Sequence, residues 1–147
     1  MKGVYTVLIR ITKTFSRQVG SLGRMYFEKG NYVYVGSAQS SLFPRLVRHF
    51  AKKKRLHWHI DYLTTSKLSR IKVAVYAATN RKRIECFLSA KLAALPFSKA
   101  VSHFGSTDCK HGCIAHLFLL KSTQKLAISS IIRGYGKLDL KPLVYRT

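Results

Sequence analysis

The stretch that decides the fold is GNYVYVGSA, residues 30–38. Tyr32, Val33, Tyr34 and Val35 alternate aromatic and β-branched side chains, the composition of a strand. Gly36, Ser37 and Ala38 then carry almost no side chain. A glycine at that point either turns the chain or lets something bulky reach the backbone. An arginine-rich segment follows closely, so the approaching group is expected to be large and negative.

The flanking segments read outward from this strand. GVYTVLIRI, residues 3–11, places Tyr5, Val7, Ile9 and Ile11 on one face and Thr6 and Arg10 on the other, a second strand. TKTFSRQVGSLG, residues 12–23, is polar and glycine-bearing and reads as a loop or ragged hairpin end, and RMYF, residues 24–27, as a short strand. EKGN, residues 28–31, has turn chemistry, which predicts a hairpin between RMYF and YVYVG. Pro44 suits the first turn of a helix, where its missing N–H is no loss, and a helix is predicted over residues 44–52. LHWHIDYLTTS, residues 56–66, reads as a short helix and RIKVAVYAA, residues 70–78, as a strand. RKRIECFLSAKLAAL, residues 81–95, is the clearest helix, with Ile84, Leu88, Leu92 and Leu95 inward and Pro96 ending it. CIAHLFLL, residues 113–120, reads as a further strand.

Charge sets the class of partner. The chain of 147 residues carries 27 Lys and Arg against 5 Asp and Glu, a net charge of +22. That imbalance repels itself in a compact state, and a polyanionic partner is its natural counterpart: nucleic acid, DNA or RNA, ribosomal RNA included. A hydrophobic fraction of 47% excludes a disordered tail. No apolar run approaches the roughly 20 residues of a membrane span, and no signal-peptide pattern opens the chain, so a soluble, cytoplasmic protein is expected. Three cysteines, an odd number, do not suggest a secreted disulfide framework.

Arg45, Arg48 and His49 fall within about one helical turn, and Arg45 and His49 share a face. They follow the Pro44 start, where free N–H groups and the helix dipole favour an anion. The alternative for this segment is a solvated basic helix face.

GVY at residues 3–5 and YVG at residues 34–36, followed by RLVRH at 45–49, resemble the GIY-YIG nuclease superfamily. The ordered blocks YVYVGSA, RLVRH, HWHIDYL, EC and FGSTDC…HLF resemble more closely its archaeal GIY-YIG-like branch, found alone or fused to endonuclease III. The similarity spans about residues 3–120. It implies an α+β fold, a small antiparallel sheet flanked by helices. The predicted organisation is one GIY-YIG-like domain over residues 1–121 and a basic C-terminal extension over 122–147, packed on the domain or on nucleic acid.

The resemblance also implies a site. Tyr5, Tyr34, Arg45 and His49 match catalytic positions, and Glu85 matches the ligand of one divalent cation, Mg²⁺ or Mn²⁺. The implied reaction is phosphodiester hydrolysis: Arg45 stabilises charge on the phosphate, and Tyr5, Tyr34 or His49 positions or deprotonates the attacking water. Gly36, Ser37, Arg48, Lys52, Lys53, Lys54 and Arg55 are expected to contact nucleic acid. If Tyr34 faces the site then Tyr32 does too, which would leave both rings open to stacking on unpaired bases; the alternative is that this strand face packs in the core. The chain departs from the usual pattern in a longer loop between the motifs and in serine at position 37, where some active members carry lysine. With five acidic residues in all, one metal is expected rather than two. The alternative for Glu85 is a surface ion pair with Arg81. The alternative for the whole chain is a non-catalytic DNA- or RNA-binding protein on the same fold, a ribosome-associated or chromosomal component.

CKHGCIAH, residues 109–116, offers Cys109, Cys113 and His116, with Cys86 as a fourth zinc ligand; buried free cysteines are the other reading. HWHID sets His57 and His59 around Trp58: in a strand His57, His59 and Asp61 would share a face, in a helix His57 and Asp61, for a structural role or a nucleic-acid contact.

Overall fold

The computed structural model describes residues 1–102, 104, 113 and 115–146. Its elements are strands β1 (Gly3–Ile11), β2 (Phe15–Gln18), β3 (Arg24–Phe27), β4 (Gly30–Ala38), β5 (Ser69–Ala78), β6 (Ser98–Ala100), β7 (Leu117–Leu120) and β8 (Leu143–Tyr145), with helices α1 (Leu42–Phe50), α2 (His59–Thr64), α3 (Ile84–Ala93) and α4 (Gln124–Lys137). Six strands form one antiparallel sheet in the order β6-β7-β4-β1-β5-β8, and β2 and β3 form a separate hairpin. The fold is α+β, as the sequence predicts.

β1 lies at the centre, paired with β4 (Tyr5 opposite Gly36) and with β5 (Tyr5 opposite Tyr76). Both of its faces are covered. Val4, Leu8, Val33, Val35, Val73 and Val75 pack under Ile84, Leu88 and Leu92 of α3 and Ala127, Ile131 and Tyr135 of α4. On the other face Tyr5, Val7, Ile9, Ile11 and Tyr32 pack under Leu42 and Leu46 of α1 and Ile60 and Leu63 of α2. Leu42, Leu46 and His49 are the buried stripe of α1, at the i, i+4, i+7 spacing of a helix face. Thr6, expected on a polar face, is buried; its hydroxyl lies 3.2 Å from that of Tyr135, which donates to Val75 O at 2.8 Å.

Three expectations are corrected. The hairpin joins β2 to β3, not β3 to β4; β2 arises from the segment predicted as loop. The half-exposed alternation of β2 and β3 suits a peripheral hairpin, whereas β4 is apolar on both faces and belongs in the sheet interior. Tyr32 is not open to bases: it is buried, with its hydroxyl donating to Glu28 O at 2.7 Å, and Tyr34 packs in the same cluster. The last predicted strand is shorter, beginning at Leu117.

Residues 122–146 hold α4, which is laid on the sheet, and β8, which pairs with β5. Thr123 caps α4, its hydroxyl accepting from the Leu126 N–H at 3.2 Å. No helix among the described residues is long and apolar enough to cross a membrane.

Candidate functional site

The site is built around the end of β4. β7 pairs with residues Asn31 to Tyr34, and Val35 N donates to His116 O at 2.8 Å. Among the described residues β4 has no partner strand on that side beyond this bond, and Ser37 lies two residues past it. α1 and α3 lie on opposite faces, yet both reach it. Arg45 of α1 donates from Nη1 to Ser37 O at 2.8 Å. The Ser37 hydroxyl donates to Glu85 Oε2 of α3 at 3.1 Å. A guanidinium and a carboxylate are thus tied to one residue.

Tyr5 and His49 stand next to this junction. The Tyr5 hydroxyl and His49 Nε2 share a hydrogen bond of 2.8 Å. The His49 ring lies 5.9 Å from that of Tyr34 and 5.8 Å from that of Trp58. Burial raises the Tyr5 hydroxyl well above the usual tyrosine range; Arg45 opposes the shift and Glu85 adds to it. Tyr34 is raised in the same way, burial first. His49 is pushed down to about 3 by burial and then by Lys54, so its imidazole is neutral. Its Nδ1 is buried with no hydrogen-bond partner among the described residues. All three groups are therefore uncharged at neutral pH; Arg45, Glu85 and Asp61 act on the two tyrosines, and Lys54, Asp61, Arg48 and Arg45 on His49.

Gly36 has a structural explanation that the sequence does not reveal. It stands opposite Tyr5 across the β1–β4 ladder, and a Cβ there would collide with the hydroxyl end of the Tyr5 ring. The space beside Gly36 is filled by that aromatic ring, the arrangement in which a cross-strand aromatic covers a glycine.

The basic residues after α1 divide into two groups. Arg48 makes a two-pronged bond to Asp61, 2.7 Å to Oδ1 and 2.8 Å to Oδ2, and its guanidinium lies 4.5 Å from the Trp58 ring centre. Lys52 donates to the carbonyls of Thr64, Ser66 and Ser69, closing the C-terminal end of α2. Lys54 donates to the carbonyls of Arg48 and His49 at the end of α1, and burial lowers it to about 8. These three hold the two helices in place. Lys53 and Arg55 are exposed.

Asp61 joins the two helices and is missed by sequence reasoning beyond its shared face with His57. Fully buried, it accepts from Arg48 and from the backbone N–H groups of His57 and Trp58 at 2.9 and 2.8 Å. Trp58, held there, stacks under Arg48 on α1 and lies 5.1 Å from the Arg45 guanidinium. The clue in the sequence was one acid inside a strongly basic stretch.

Cys86 and Cys113 are joined as a disulfide, with Cα atoms 6.2 Å apart. His116 lies beside them, the three ligand atoms within 4.8 Å of one another. Cys109, and most of the FGSTDC block, lie outside the described residues. Glu85 and this cluster adjoin: His116 Nδ1 is 3.2 Å from Glu85 Oε1. Of the expected residues, Tyr5, Tyr34, Gly36, Ser37, Arg45, His49 and Glu85 come together, and the partners of Glu85 are Ser37 and His116.

Comparison with curated proteins and with solved structures gives no match. A family model described as the domain of unknown function DUF123 matches residues 4–137, nearly the whole chain, and the protein belongs to that family.

Proposed function

We propose that this protein binds nucleic acid and hydrolyses its phosphodiester bonds at the β4 site, as a divalent-metal-dependent endonuclease of the GIY-YIG type. The observation that carries the reading is the junction at Ser37. Arg45 and Glu85 bond the carbonyl and the hydroxyl of one residue, beside the Tyr5–His49 pair. A phosphate docking there would meet a guanidinium on one side and a carboxylate on the other, in a chain of net charge +22 that draws polyanions to it.

The residues fit one hard cation. The Glu85 side chain is 30% exposed and offers carboxylate oxygens next to the Ser37 hydroxyl. Mg²⁺ and Mn²⁺ take one or two carboxylates and fill their remaining positions with water and phosphate oxygens. Glu85 would hold the cation, which when bound supplies neutralising charge at the phosphate and leaving oxygens. Arg45 would stabilise the charge that grows on the phosphate in the transition state. Tyr5, oriented by His49, would place the attacking water by hydrogen bonding.

The test is incubation of the purified protein with labelled branched DNA, single strands and structured RNA, with and without Mg²⁺ or Mn²⁺. Wild type is expected to cleave only with metal. Glu85→Gln should abolish cleavage and leave affinity nearly unchanged, since removing a negative charge does not weaken polyanion binding. Arg45→Ala should weaken both. Cleavage that persists in Glu85→Gln would remove the assigned ligand.

A second reading is a binder without catalysis. It is favoured by the resting protonation of the site: burial keeps Tyr5 protonated and lowers His49 to about 3, so the tyrosine holds its proton and the imidazole is too weak a base to draw one from water. In that case metal changes nothing. Affinity alone responds, falling about 10³- to 10⁵-fold between roughly 50 and 200 mM salt if some 6–10 phosphates are contacted.

A further inference from the structure

We propose that Cys86, Cys113 and His116 form a zinc site, occupied when the two thiols are reduced and closed when they are joined. The inference is independent of the nuclease reading. Two observations carry it. Three ligands of the types zinc prefers converge from separate parts of the chain, α3 and the segment leading into β7, with their ligand atoms within 4.8 Å of one another. His116 is 3% exposed; its Nδ1 lies 3.2 Å from Glu85 Oε1, and its Nε2 has no hydrogen-bond partner among the described residues.

The second observation calls for a ligand. A buried ring nitrogen left without a partner costs about 1–3 kcal/mol, so the burial of Nε2 beside two sulfurs needs a compensating bond. Tetrahedral zinc, with bonds of about 2.3 Å to sulfur and about 2.0–2.1 Å to nitrogen, sets its ligand atoms roughly 3.5–3.8 Å apart. The three residues reach that spacing by rotating side chains, since the Cα separation of 6.2 Å between the cysteines suits either a disulfide or a shared metal.

Glu85 completes the arrangement. With His116 Nδ1 3.2 Å from Glu85 Oε1, the other ring nitrogen, Nε2, is the one left for the metal. A carboxylate facing the non-ligating N–H is the usual way in which a zinc-bound histidine is oriented. The same carboxylate accepts from Ser37. The zinc site would therefore hold the ring against which Glu85 rests.

The disulfide and the metal exclude each other, because both use the same sulfurs. A dithiol reductant transfers two electrons and two protons to the Cys86–Cys113 bond, giving two thiols, and is itself oxidised to a cyclic disulfide. Zinc then displaces the two thiol protons and binds two thiolates and one imidazole.

The test uses the full chain, purified under argon with a dithiol reductant, exchanged into metal-free buffer, and assayed for zinc by elemental analysis. About one zinc per chain is expected, with loss of at least tenfold after oxidation by a disulfide such as oxidised glutathione. Cys86→Ser, Cys113→Ser and His116→Ala should each lower zinc retention at least tenfold. Because these variants perturb a buried cluster, a second measurement uses wild type alone. Cobalt(II) titrated into reduced, metal-free protein should give a thiolate-to-cobalt absorption band and the intense visible spectrum of a tetrahedral site. That spectrum should disappear on stoichiometric addition of zinc. Reduced wild type that retains no zinc and gives an octahedral cobalt spectrum overturns the proposal, as does full zinc retention in Cys86→Ser or His116→Ala.

Discussion

Asp61→Ala tests how the two helices over the site are joined. The buried carboxylate accepts four hydrogen bonds, from Arg48 Nη1 and Nη2 and from the N–H groups of His57 and Trp58, all between 2.7 and 2.9 Å. Removing one partner of a buried ion pair costs about 3–5 kcal/mol, because the other charge stays behind unpaired. Arg48 keeps 27% side-chain exposure, so water recovers part of that loss, and about 3–4 kcal/mol is expected. With a urea slope of about 2 kcal/mol/M, the unfolding midpoint should fall by about 1.5–2 M. The assay is equilibrium urea unfolding followed by tryptophan fluorescence, which reads Trp58 directly. The same variant yields a pH signature. Burial alone would raise the Asp61 carboxyl, but Arg48 and the two N–H groups more than offset that and hold it below the usual carboxylate range. Its stabilising contribution is thus complete above the unfolded value of about 3.9 and is lost as pH falls through the lower folded value. The gap between wild type and variant should stay constant from pH 7 to about 5 and close below about 4. A midpoint shift under about 0.5 M, roughly the 1 kcal/mol of an exposed pair, would refute the view that Asp61 is the joint.

Two further substitutions examine the sheet. Gly36→Ala drives a methyl into the Tyr5 ring and should cost about 1–3 kcal/mol in thermal unfolding; in a Tyr5→Ala background the added cost should largely disappear, a non-additivity that double-mutant analysis would read. Tyr135→Phe removes the bond to Val75 O and should cost about 1 kcal/mol in urea unfolding, a small figure because Thr6 Oγ1, 3.4 Å away, can still donate to that carbonyl.

Local chemistry announces the central strands and α3, because β-branched alternation and a four-residue apolar spacing are decided within a few residues. Strand pairing is not local. EKGN announces a reversal after RMYF, but which strand pairs with which depends on how many faces each must bury, and that emerges only when α1, α2, α3 and α4 cover both sides of the sheet. The site divides in the same way. Tyr5, Tyr34, Arg45 and Glu85 stand out by motif, whereas the role of Ser37 as their meeting point depends on two helices arriving from opposite faces. Charge alone also conceals employment. Arg48, Lys52 and Lys54 look the same as Lys53 and Arg55 in the sequence, and only the fold reveals that the first three are bonded to Asp61 or to carbonyls at helix ends and the adjoining turn.

The covering of the central strand by α4 has a consequence for synthesis. Tyr135 seals a core that opens with Val4 and Leu8, and β8 closes the edge of β5 later still. A ribosome adding about 5–20 residues per second needs roughly 6–25 s to pass from Leu8 to Tyr135. Throughout that interval the nascent chain can pair β1 with β4, and later with β5, but one side of the ladder stays partly uncovered. Those Val and Leu side chains must be shielded by a chaperone or by rapid docking of α3, since apolar surface of that kind is what misassembles. A premature stop before α4 would leave the strands competent to pair and unable to stay soluble.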